Sequence, residues 1–176
     1  EAAVQLDCDH MVVSTGFAYL DVDAEDAFGW CAEAMGRIAR KAEQEGVTLA
    51  VEPFTKYTTH ICNEASQLRR LLRTVNSPRL MGLADTDVIA TTAVDTFSTF
   101  LDVIGPENLG HVHFVDGNPG GHLVPGDGVL DLDGALEKLK AIHYTGALGL
   151  EVLDRRYVFA PEAAMKQAMD WYKERI

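Results

Sequence analysis

The chain has 176 residues, with 27 Asp and Glu against 15 Lys and Arg, a formal net charge of −12 at pH 7. At 47% hydrophobic and 24% charged it has the make-up of a globular protein, neither disordered nor fibrous, and it is long enough to bury a real core. No run approaches the ~18 apolar residues of a membrane-spanning helix, and strong acidity argues against a phosphate-rich partner, so neither membrane nor nucleic acid is expected.

The opening stretch, EAAVQLDCDHMVVSTG, starts without Met and reads as the end of a helix running into a strand. The expectation is therefore that part of the protein lies upstream. Cys8–Ser14 is the first predicted strand. A helix over Val22–Glu45 follows, with Phe28, Cys31, Met35, Ile38 and Ala39 on one face and Gly46 as its stop. Val47–Glu52 is the second strand. Asn63 is the expected cap of a helix in which Leu68, Leu71 and Leu72 oppose Arg69, Arg70 and Arg73. The arginines read as a solvated face. Arg79–Asp85 is the third strand, Ala93–Ile104 a helix, and Gly110–Val115 the fourth strand. A Gly/Pro-rich loop runs from Asp116 to Gly128. Asp131 or Asp133 caps a helix to Ile142, Ala147–Val152 is the fifth strand, and Pro161 opens the last helix. The three cysteines, Cys8, Cys31 and Cys62, form no CxxC pair. That removes a disulfide scaffold and a thiolate zinc site and suits a reducing, cytoplasmic setting.

Alternating strands and helices imply a parallel sheet clothed by helices, either an open doubly wound sheet or a (β/α)8 barrel. The polar residues at the strand ends favour the barrel. The second strand ends at Glu52, the third at Asp85, the fourth carries His111 and His113, and the fifth carries Glu151. Strand alternation puts Glu52 on the face of Thr48 and Ala50, opposite Val47, Leu49 and Val51. Both histidines oppose Val112 and Phe114, and Glu151 shares a face with Gly149. Each candidate thus points away from the greasy face, at the rim where barrel enzymes build their sites. Carboxylates converging with an imidazole repel one another unless a cation joins them. A mostly oxygen donor set suits Mn²⁺, Mg²⁺ or Co²⁺, and Zn²⁺ less well. His10 has a weaker claim to the lumen, and His60 and His143 read as surface residues. The Gly-rich loop matches neither nucleotide-binding fingerprint.

Together VEPF, LAD, HVHFVD, HLVPGDG and GLEVL, in this order and spacing, resemble the xylose isomerase-like barrel superfamily, and within it the fructoselysine and tagatose/psicose 3-epimerases. The resemblance runs the length of the chain. It implies an α/β fold in which residues 1–176 form the C-terminal part of one TIM barrel domain, strands four to eight. It implies one divalent metal ion, Mn²⁺ first and Mg²⁺, Co²⁺ or Zn²⁺ as alternatives, held by Glu52, Asp85, His113 and Glu151. It makes Glu52 and Glu151 an opposed acid/base pair, and His111, Asp116 and His122 the expected substrate contacts. The implied activity is epimerisation or isomerisation of a sugar or sugar derivative. The alternative is a lyase on the same scaffold, an inosose dehydratase or a C-glycoside deglycosidase subunit. The implied assembly is a homo-oligomer, or a hetero-complex in which a second chain completes the barrel. Ketose epimerases carry a histidine where Val88 stands, an arginine at Pro119 and a glutamate at Thr58, so a different or substituted sugar is favoured over free tagatose or psicose. Endonuclease IV of the same superfamily needs further zinc ligands, absent at Val88 and Gly120, which argues against DNA repair.

Overall fold

The computed structural model describes residues 2–175. In chain order the elements are α1 (Ala2–Gln5), β1 (His10–Ser14), α2 (Ala24–Glu45), β2 (Thr48–Glu52), α3 (Ala65–Val75), β3 (Leu80–Asp85), α4 (Thr86–Thr92), α5 (Phe97–Ile104), β4 (Leu109–His113), α6 (Leu132–Ala141), β5 (Leu148–Gly149) and α7 (Pro161–Lys173). All five strands are parallel and lie side by side in sequence order. That is a partial α/β barrel whose two outer strands, β1 and β5, each pair on one side only.

The strand faces divide as alternation requires. Leu49, Val51, Ala84, Val112 and Phe114 point into the layer of helices, where they meet Phe28, Leu68, Leu71, Phe100 and Ile104. Phe100 and Phe114 are 1% and 0% exposed, so truncating either to alanine should cost about 3–5 kcal/mol. The opposite face carries Glu52, Asp85 and His113, all buried. Register sets the height of these groups. Asp85 pairs with His113, and His113 with Gly149, which places Glu151 just beyond the end of β5.

Several elements differ from expectation. The segment after Asp85 is helical, and a second helix begins only at Phe97, capped by Thr96. The Asp85 side chain accepts from the amides of Asp87 and Val88, which starts α4 at the strand's last residue. Glu64, not Asn63, caps α3, in a capping box with Gln67. The Asn63 amide instead donates to the carbonyls of Phe54 and Thr59 and ties down the loop after β2. β5 is paired over two residues, Leu148 and Gly149, rather than the six expected of Ala147–Val152. Ile38 lies on the exposed side of α2. The arginine face of α3 is exposed at Arg70 and Arg73, as expected, and two of its three arginines also find partners. Arg70 pairs with Glu25 and stacks 4.0 Å over the Phe28 ring, and Arg69 donates to the Val103 carbonyl.

Cys31 and Cys62 are buried and free, and burial pushes the Cys31 thiol up to about 11 and Cys62 higher still, so both are packing residues. Among the described residues no helix is long and apolar enough to cross a membrane.

Candidate metal centre

Three consecutive strands, and the segment just beyond the end of a fourth, each deliver one ligating side chain to the same point. One donor atom from each of Glu52, Asp85, His113 and Glu151 lies within 4.8 Å of the others. His113 is the hub. Its Nδ1 is 3.0 Å from Glu52 Oε1, 3.2 Å from Glu151 Oε2 and 3.6 Å from Asp85 Oδ2. The side chains of Glu52, His113 and Asp85 are at most 10% exposed, while Glu151 is 38% exposed and closes the group on its open side.

Asp85 divides its two oxygens between two jobs. Oδ1 caps α4 through the amides of Asp87 and Val88, both at 2.8 Å. Oδ2 is buried and faces the cluster, without a well-formed hydrogen bond but with His122 Nε2 at 3.2 Å and His113 Nδ1 at 3.6 Å. An orphaned carboxylate oxygen in the interior is costly unless something positive meets it. Three carboxylates around one imidazole make the same demand.

Without a cation, protons answer it. Burial disfavours a charged His113, but Asp85, Glu151 and Glu52 outweigh burial and push its pKa up to about 11. His122 behaves alike: burial opposes, Asp85 and Asp87 prevail, and its pKa rises to about 10. For Asp85, burial favours the neutral acid, yet the two imidazoles hold the carboxyl down at about 2. The donor set and the orphaned oxygen therefore fit a divalent ion held by Glu52, Asp85, His113 and Glu151.

The other expected contacts divide. His122 joins the centre from the loop, with Nε2 3.2 Å from Asp85 Oδ2 and 3.6 Å from Glu151 Oε2. His111 lies edge-on beside His113 with ring centroids 5.3 Å apart, half-buried beneath it in the strand. Burial, with the charges of His113 and His10, lowers its pKa, so it is a neutral ring in the wall of the lumen. Asp116 is not at the rim. It is 3% exposed, and its carboxylate accepts from the amides of Gly117, Leu130 and Gly126. With those bonds made, its carboxylate anchors the loop from beneath. His10 pairs with Asp9 in the open and takes no part. His143 is exposed as expected, whereas both ring nitrogens of His60 are buried without a partner. The residue that sequence reading missed is Asp87. It is fully buried and takes hydrogen bonds from the amides of Gly120 and His122. In sequence it reads only as one more acid just after the strand that ends at Asp85.

A family profile described as xylose isomerase-like TIM barrel matches residues 1–175. The fructoselysine 3-epimerase of Escherichia coli O157:H7 is 26% identical over 175 residues, covering 98% of this chain and 62% of its own length. The chain thus spans under two thirds of that relative. Among solved structures, the apo form of 3-keto-D-glucoside 4-epimerase from E. coli superposes with a TM-score of 0.86 at 20% identity, covering 98% of this chain and 66% of that one. The IOLI protein, whose crystal structure holds a zinc atom, superposes with a TM-score of 0.79 at 19% identity, covering 96% and 63%. At those identities the two structures speak for the fold.

Proposed function

This chain belongs to the xylose isomerase-like TIM barrel family, and from that premise we propose that it carries the metal-binding part of a sugar epimerase active site. The observation that supports this most is the Glu52, Asp85, His113 and Glu151 group, three from strands and one from just beyond β5, with an Asp85 oxygen that lacks a well-formed hydrogen bond turned into it. The substrate class is a sugar or sugar derivative with a carbonyl beside the carbon to be inverted. Held by those four residues, a divalent ion, Mn²⁺ first among candidates, supplies Lewis-acid polarisation of that carbonyl.

The chain's own residues do the rest. Glu52 and Glu151 approach the centre from β2 and from beyond β5, on opposite sides of His113. One carboxylate takes the proton from the carbon next to the carbonyl, and the electron pair left behind delocalises onto the carbonyl oxygen. The other glutamate returns a proton to the opposite face. Glu52, buried, is shielded from bulk water, while Glu151, more open, can exchange its proton with solvent. The deep side of the centre is closed by His111 and His113, and the loop over residues 117–128 forms its rim. Val88, Pro119 and Thr58 stand where free-ketose contacts are expected, and this supports a substituted sugar.

Solvent exchange tests the reading. The protein carrying this chain, incubated in D₂O with a panel of ketoses, 3-keto-glycosides and keto-inositols, should place deuterium at the inverted carbon of one class. Glu52→Gln and Glu151→Gln should each abolish that exchange. Turnover without deuterium uptake, or exchange that survives both substitutions, would sink the proposal. Release of water or an aglycone in place of an epimer would identify the lyase alternative.

A further inference from the structure

Asp87 has no place among the four metal-site residues, yet it is the most completely buried carboxylate near them, 0% exposed. It sits in the first turn of α4, two residues after Asp85. Its Oδ1 accepts from the Gly120 amide at 2.5 Å, and its Oδ2 from the His122 amide at 2.9 Å. Oδ2 also lies 3.1 Å from Nδ1 of the His122 ring. One carboxylate thus holds the loop by its backbone and the imidazole by its ring. Gly117 makes room for it: a Cβ there would fall 1.8 Å from Asp87 Oδ1, so no other residue fits without displacing the clamp.

The consequence is directional. With Nδ1 committed to Asp87, the ring turns Nε2 toward Asp85 Oδ2 and Glu151 Oε2. The backbone at His122 is held in the left-handed region, φ 49°, a strained conformation for a non-glycine residue, which implies that the clamp fixes this geometry. We propose that Asp87 and His122 form a carboxylate–imidazole pair that completes the cation site on its loop side, with Asp87 as the positioning residue and His122 Nε2 as a further contact of the centre. Metal-facing imidazoles elsewhere depend on such a partner, whose loss weakens metal binding about 10–100-fold. This inference rests on the metal-site reading above, and the experiment separates the two.

The probe is Mn²⁺ alone, its affinity measured by competition with a chromophoric chelator. The variants are His122→Ala, Asp87→Asn and the double variant, each checked by circular dichroism and by amide hydrogen exchange at Gly120 and His122. His122→Ala leaves the backbone clamp in place and should weaken Mn²⁺ at least about tenfold. Asp87→Asn should weaken it similarly and speed exchange at both amides. In the His122→Ala background, Asp87→Asn should cost less than about twofold further, because its effect passes through the ring. Wild-type affinity in His122→Ala, or an undiminished effect of Asp87→Asn in that background, would overturn this inference while leaving the four-residue site standing. A wild-type chain that binds no Mn²⁺ would instead overturn the site itself.

Discussion

Adding one methyl group at Gly149 should damage the metal centre without replacing any of its ligands. A Cβ there would stand 2.9 Å from His111 Nε2, closer than carbon tolerates, and 3.1 Å from His113 Cδ2, a contact that a shift of a few tenths of an ångström must relieve. The two rings brace each other edge-on, so neither retreats without moving the other. Overpacking of this kind costs about 1–3 kcal/mol. His113 carries the contacts to Glu52, Glu151 and Asp85, and a displacement of a few tenths of an ångström falls directly on all three. If about half of the strain reaches the site, Mn²⁺ affinity falls about two- to twelvefold, since about 1.4 kcal/mol is a factor of ten. Gly29→Ala is the control. It lies in α2 with nothing within 4 Å of its Cβ position, and a helical Gly→Ala change stabilises by up to about 1 kcal/mol. The assay pairs urea unfolding with metal titration on both variants. If Gly149→Ala kept wild-type stability and wild-type Mn²⁺ affinity, the packing argument would be refuted.

The metal-free chain should lose stability as pH rises. His113 is raised from 6.5 to about 11 in the fold, so its contribution is whole below about pH 6.5 and disappears as pH climbs through about 11. Bound cation displaces that proton, so the melting-temperature gain from Mn²⁺ should grow from about pH 6.5 to about pH 9; a gain that shrinks over this range contradicts the assignment. Asp116→Ala strips three amides of their acceptor, at about 1–3 kcal/mol for each one left buried and unpaired. It should lower stability by at least about 2 kcal/mol and accelerate amide exchange at Gly126 and Leu130, and unchanged exchange there would show that the loop is held by something else.

Strand alternation made the centre legible. In VTLAVE and HVHFV the greasy and polar faces are distinct, so Glu52 and His113 could be assigned to the lumen from residue order alone. What stayed hidden depends on contacts between distant segments. The segment TDVIATT is rich in β-branched residues and has weak helix propensity, and it forms α4 because Asp85 caps it. No local pattern reports that one oxygen of Asp85 is spent on a helix while the other is left for a cation. Asp87 and Asp116 look alike in sequence, two acids beside strand ends, yet each is consumed by amides of a loop up to 35 residues away. Arg70 reads as a surface charge and stays half exposed, but its pairing with Glu25 and its stacking on Phe28 are contacts no local pattern reports.

The central claim is that Glu52, Asp85, His113 and Glu151 hold one divalent cation. Calorimetric titration of the metal-free chain with Mn²⁺ tests it directly, with His113→Ala as the paired sample. The account predicts one equivalent bound by the wild type, with proton release, and none by the variant at the same concentrations. No binding by the wild type, or one equivalent still bound by His113→Ala, would contradict it.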